Sequence, residues 1–113
     1  MSSIEGTTYK EGDNMETQTF VMLIERGKTY NKINKAMVEK HVEYIKNLDE
    51  NGKLVLCGPT KGFPGVAGMI VFQAESYETA KEVCKSEPFA AGGYATFKLF
   101  SMRVGNKENN YLL

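Results

Sequence analysis

The sequence predicts an α+β domain of the ferredoxin-like βαββαβ class, a four-stranded antiparallel sheet with two helices on one face. Three observations lead there. The chain has 113 residues, enough for one domain and not two. Its periodic segments run strand, helix, strand, strand, helix, strand; right-handed crossovers and short connections fold that order into a split βαβ sandwich. Finally, the strand segments are apolar on both faces, which marks a sheet covered on both sides.

Each element has its own signal. Met1–Thr17 is polar, rich in Ser, Thr, Gly and acids, and without periodicity, so residues 1–18 are expected to form a mobile tail before a domain over 19–103. Thr19–Glu25 (TFVMLIE) is β-rich and reads as a central strand. A helix then starts between Asn31 and Asn34, either of which can be the N-cap, and stops at Asn51-Gly52, where Gly suits a left-handed C-terminal position. Lys53–Gly58 (KLVLCG) is a second strand. Pro59–Gly65 (PTKGFPG), with two prolines and two glycines, is the loop that follows. Ala67–Ala74 (AGMIVFQA) is a third strand. Ser76 caps a short helix over Tyr77–Lys85, stopped before Pro88, and Tyr94–Arg103 is the fourth strand. Residues 104–113 form a C-terminal tail. Its end, Tyr111-Leu112-Leu113, reads either as fraying or as an arm that lays an apolar tip on a neighbouring subunit.

Composition excludes several functions. Fourteen Lys and Arg balance fourteen Asp and Glu, so the clustered cations of a nucleic-acid binder are missing. RNA-recognition domains share this element order, but they need a basic surface, and Gly68–Phe72 only faintly matches the strand they use. No nucleic-acid partner is expected. No apolar run reaches the length of a membrane span and the N-terminus shows no secretory signal, so the expectation is a cytoplasmic protein without a membrane partner. Cys57 and Cys84 form no C-x-x-C pair and read as two small buried hydrophobes. A single histidine without spaced carboxylates leaves too few ligands for zinc. No metal and no cofactor are expected.

Two helices cover one sheet face only. The other face would still present large side chains: Phe20, Met22 and Ile24 alternate with Val21 and Leu23, Met69 and Val71 with Ile70 and Phe72, and Phe97 and Leu99 with Phe100 and Met102. Burying a large apolar side chain is worth roughly 1.5–3 kcal/mol. The expected solution is a homodimer packed sheet to sheet.

The candidate chemistry centres on the one histidine, His41. On a helical projection Ile33, Met37, Tyr44, Ile45 and Leu48 fall on one stripe of about 120°, with His41 near its middle. Lys35, Glu39, Glu43, Lys46 and Glu50 lie opposite. The imidazole therefore points toward the sheet and must find a hydrogen-bond partner there; a structural histidine satisfies the same pattern. The candidate partner is Glu87, which Pro88 holds extended just after the second helix. A carboxylate beside an imidazole fixes its tautomer, as general acid–base chemistry requires, although an exposed glutamate before a proline is an equally ordinary feature. Phe63, Phe89 and Tyr94 are candidates to line an apolar substrate pocket, where aromatics otherwise serve as packing. The loop Gly58–Gly65 lacks the phosphate-binding pattern and no helix follows it, so it reads as a strand connection, and otherwise as an edge of the site.

Two blocks carry a resemblance. His41 through Pro59 (HVEYIKNLDENGKLVLCGP) resembles the helix-to-strand signature of YCII-related proteins, and Ser76–Val83 followed by Ser86-Glu87-Pro88-Phe89-Ala-Ala-Gly92 resembles that family's second block. The similarity spans about Thr19 to Met102. It implies a dimeric α+β barrel and an active site built from a His and an Asp, matching His41 and, with glutamate in place of aspartate, Glu87. The wider superfamily includes muconolactone isomerase-like and small monooxygenase-like proteins that act on cyclic or aromatic substrates. The resulting expectation is a small cofactor-independent enzyme in which His41 and Glu87 are the catalytic pair for proton transfer, an isomerase or lyase acting on a small cyclic or aromatic metabolite. The alternative is a noncatalytic small-molecule binding or regulatory module of the same fold.

Overall fold

The computed structural model describes residues 17–113. Of the polar segment 1–18, residues 1–16 therefore lie outside the described residues. The strands are β1 (Gln18–Arg26), β2 (Leu54–Pro59), β3 (Val66–Ala74) and β4 (Ala95–Met102). They form one sheet in the order β2-β3-β1-β4, with every neighbouring pair antiparallel. This is the expected ferredoxin-like arrangement, and the two strands richest in apolar residues on both faces, β1 and β3, take the two central places.

The register sorts the side chains. On the helix side Phe20 faces Phe72, Met22 lies between Ile70 and Leu99, and Ile24 lies between Gly68 and Phe97. Phe20, Met22, Ile70 and Phe72 are buried and form the core with Ala80, Cys84 and Phe89 from the helices. On the other side a single row crosses all four strands: Leu56, Val71, Val21 and Phe100. Val21 and Val71 in the middle are buried, whereas Leu56, Phe100 and the nearby Met102 are exposed. The middle of the face without helices is thus apolar, as its alternation predicts, whereas Lys98 lies opposite Leu23 on the same face.

Helix α1 (Lys35–Glu50) starts at Asn34, the second of the two candidate caps; its side-chain oxygen accepts the Met37 N–H at 3.0 Å. It ends in a Schellman motif. Gly52 adopts φ +71°, and Lys53 N–H donates to Leu48 O at 2.9 Å while Gly52 N–H donates to Asp49 O at 3.0 Å. Met37, Tyr44, Ile45 and Leu48 pack against the core, but no residue of α1 is fully buried. The helix therefore stands partly off the sheet, and the gap is the cleft described below.

Helix α2 (Tyr77–Lys85) has the predicted bounds, with Ser76 as its cap. The helix stops before Pro88, as expected, and a further element follows. Pro88–Ala91 forms a short helix, α3, with Pro88 in its first turn, where a missing N–H breaks no helical bond. A close approach then fixes the chain. A Cβ on Gly27 would lie 2.7 Å from Tyr94 O, the same oxygen that accepts the Gly27 N–H at 2.9 Å. Only glycine lets β1 leave the sheet this near to the start of β4. At the C-terminus, residues Lys107–Leu112 form 3₁₀ turns closed by reciprocal Asn106–Asn109 hydrogen bonds, and Tyr111 and Leu113 are exposed.

Candidate active site

Three short elements converge on His41. The imidazole projects from the middle of α1, and its Nδ1 lies 2.7 Å from Glu87 Oε2. Glu87 is fully buried. It caps α3: Oε2 also accepts the Phe89 N–H at 3.0 Å, and Oε1 accepts the Ala90 N–H at 2.9 Å. Both carboxylate oxygens thus receive backbone donors, so the bond to His41 is made by an Nδ1 proton, and in the neutral ring the lone pair lies on Nε2. Phe89, the second residue of α3, places its ring parallel to the imidazole, with centroids 4.6 Å apart. Tyr30 closes the group by meeting Phe89 edge to face at 6.2 Å.

Behind this pair the polar groups are satisfied or neutral. Tyr44 donates its hydroxyl proton to Val83 O at 2.6 Å. Burial first, and then the nearby Cys84 and Glu87, raise that hydroxyl well above the ordinary tyrosine range. Burial, followed by the Glu87 charge, pushes the Cys84 thiol up to about 12. Neither group ionises near neutral pH.

The front of His41 opens into a cleft of about 610 Å³ between α1 and the sheet. Its walls include Tyr30, Val42, Ile45, Cys57, Ile70 and Phe89, and no Lys, Arg, Asp or Glu side chain lines it. The volume suits a small organic molecule. An imidazole with a fixed tautomer and an open Nε2 on such a wall can accept a proton from a bound ring or return one to it.

Of the residues expected at the site, the structure brings together His41, Glu87 and Phe89. Phe63 lies instead at the tip of the β2–β3 loop, exposed, beside a second, shallower hollow. Tyr94 is not part of the cleft wall; its ring lies over Gly92, where a Cβ would come within 2.8 Å of it. Residue type alone suggests both for the pocket, whereas their orientation depends on loop geometry. The expectation for the cysteines also needs correction. Cys84 is buried, but Cys57 is exposed. Pairing with Ile70 turns Cys57 to the helix side of edge strand β2, where α1 leaves the sheet uncovered. Tyr30 and Asn31 line the cleft from the 3₁₀ turn Tyr30–Lys32, a segment with no signal beyond a possible cap. Among the described residues no group of three or more His, Cys, Asp or Glu is disposed to hold a metal ion.

A family model described as the YCII-related domain matches residues 19–103. The chain belongs to the YCII-related family. No curated protein is similar enough to this YCII-related chain to count as a relative. Among solved structures it resembles 5-chloro-2-hydroxyhydroquinone dehydrochlorinase from Burkholderia phenoliruptrix, in complex with 2,5-dihydroxybenzoquinone. The likeness has a TM-score of 0.64 at 17% identity and covers 81% of the YCII-related chain and 99% of the other. At that identity the shared property is the α+β fold. No helix among the described residues is long and apolar enough to cross a membrane.

Proposed function

We propose that this protein is a small cofactor-independent enzyme that moves protons on a cyclic or aromatic substrate, as an isomerase or lyase. One observation carries the reading: the 2.7 Å bond between His41 Nδ1 and the buried Glu87, with the same imidazole forming part of an apolar cleft wall. His41 is the catalytic residue, through Nε2. Glu87 is its positioning residue. Phe89 supports the ring from behind and bounds the substrate. The dehydrochlorinase of similar fold is an enzyme of hydroxylated rings, which supports the substrate size and shape.

The working unit is a homodimer. A second copy packs on the row Leu56, Val71, Val21 and Phe100, closing the α+β barrel that the family resemblance implies. Two unpaired thiols, one of them exposed, fit the reducing cytoplasm.

The test is turnover of hydroxylated rings, beginning with 5-chloro-2-hydroxyhydroquinone and 2,5-dihydroxybenzoquinone, by wild type and His41→Gln. Loss of turnover with unchanged circular dichroism is the expected result. Full activity in the variant would end the proposal. Retained binding with no product from any ring tested would favour a binding module.

A further inference from the structure

The cleft does not end at Tyr30. The guanidinium of Arg26 sits over the Tyr30 ring, 5.7 Å from its centroid, and Tyr30 itself lines the cleft. Arg26 also lines the hollow of about 450 Å³ formed with Thr60, Lys61, Phe63 and Pro64 of the β2–β3 loop. Pro59 lines the cleft and Thr60 the hollow, so the two depressions adjoin at consecutive residues of one loop as well as across one tyrosine.

The charges are divided between them. No Lys, Arg, Asp or Glu lines the cleft, whereas the hollow holds two cations and no carboxylate. Among the described residues neither Arg26 nor Lys61 joins an ion pair, although Lys53, Lys85 and Lys98 each do. Stacking on an aromatic ring holds a guanidinium plane in place at little further entropic cost, and its two parallel N–H groups match a carboxylate.

We infer that the substrate is a ring bearing a carboxylate: the ring enters the apolar cleft toward His41, and the acid group is held at the mouth by Arg26 with Lys61 beside it. The inference rests on the cleft being the substrate site and adds the chemical class of the substrate. Arg26 and Lys61 are then specificity residues, remote from the proton transfer. Tyr30, which lines the cleft and lies under the Arg26 guanidinium, sets the distance between ring and acid.

The test uses three matched probes: naphthoate, naphthamide and naphthyl phosphate. His41 is the one histidine of the chain, so its imidazole NMR signals report directly on occupancy of the cleft. Naphthoate should shift them and bind about tenfold or more tightly than the amide. Arg26→Gln should remove most of that preference while leaving amide affinity unchanged, Lys61→Gln should remove part of it, and added salt should weaken only the acid. Equal binding of acid and amide, or a preference that survives in Arg26→Gln, overturns the carboxylate assignment and leaves the cleft as the site. Tighter binding of the phosphate than of the carboxylate overturns it in favour of phosphate esters. If none of the three moves the His41 signals, both the assignment and the reading of the cleft as a substrate site fall.

Discussion

The imidazole of His41 lies flat on the ring of Phe89, with 4.6 Å between centroids and 7° between planes. Phe89 also donates its backbone N–H to the carboxylate that holds His41. One residue therefore fixes the histidine twice, by its ring against the imidazole face and by its amide on the carboxylate that grips the imidazole edge. This leaves Nε2 as the free position.

Phe89→Leu should keep the backbone N–H and the fold but lose the stack, at about 0.5–1.5 kcal/mol beyond the area removed. Phe89→Ala should cost about 3–5 kcal/mol, because a nearly buried aromatic leaves a cavity. Urea denaturation measures both. A cost below 1 kcal/mol for Phe89→Ala would show that this ring is not part of the core.

Glu87 serves His41 and two backbone N–H groups at once. Glu87→Ala should therefore destabilise by about 1–3 kcal/mol, since a buried cap and a buried histidine partner go together. Nitrogen NMR of His41 should show the Nδ1–H tautomer in wild type and a mixture in Glu87→Ala. Glu87→Asp tests the extra methylene. If the shorter acid keeps the tautomer, the cap tolerates either length.

The thiols should differ sharply. Cys57 is exposed and should react with a thiol reagent in the native state, whereas the buried Cys84 should react only on unfolding. The Cys84 thiol is raised from 9.0 to about 12, so it favours the folded state fully below the unfolded value. That contribution fades as pH rises between the two values, because the unfolded thiol loses its proton first. Tyr44, also raised, adds to the loss in the alkaline range. Stability measured against pH should fall more gently above pH 9 in Cys84→Ala than in wild type. Identical slopes would remove Cys84 from the account.

The open sheet face offers a separate check. Phe100 is exposed at the β4 end of the row that crosses the sheet, opposite the buried Val21. Phe100→Asp should convert a dimer into a folded monomer in sedimentation, because a carboxylate would have to be desolvated between two apolar sheets. Unchanged sedimentation in the variant would place the subunit contact elsewhere.

The sequence by itself determined the element order, the central place of β1, the bounds of the second helix and the side of α1 that carries His41. Those features follow from local periodicity and from caps such as Asn34, Ser76 and Gly52, whose effects reach only a few residues. It also pointed to Glu87, since a glutamate before a proline stays extended. Tertiary structure alone decided the rest. His41 and Glu87 are 46 positions apart, and no periodicity measures such a gap. The short α3 aims the Glu87 carboxylate, loop geometry places Phe63 and Tyr94 outside the cleft, and the exposure of Cys57 on an uncovered strand edge depends on how far α1 stands from the sheet. Side-chain volumes packed against each other from distant parts of the chain set that separation, and with it the room beside the imidazole.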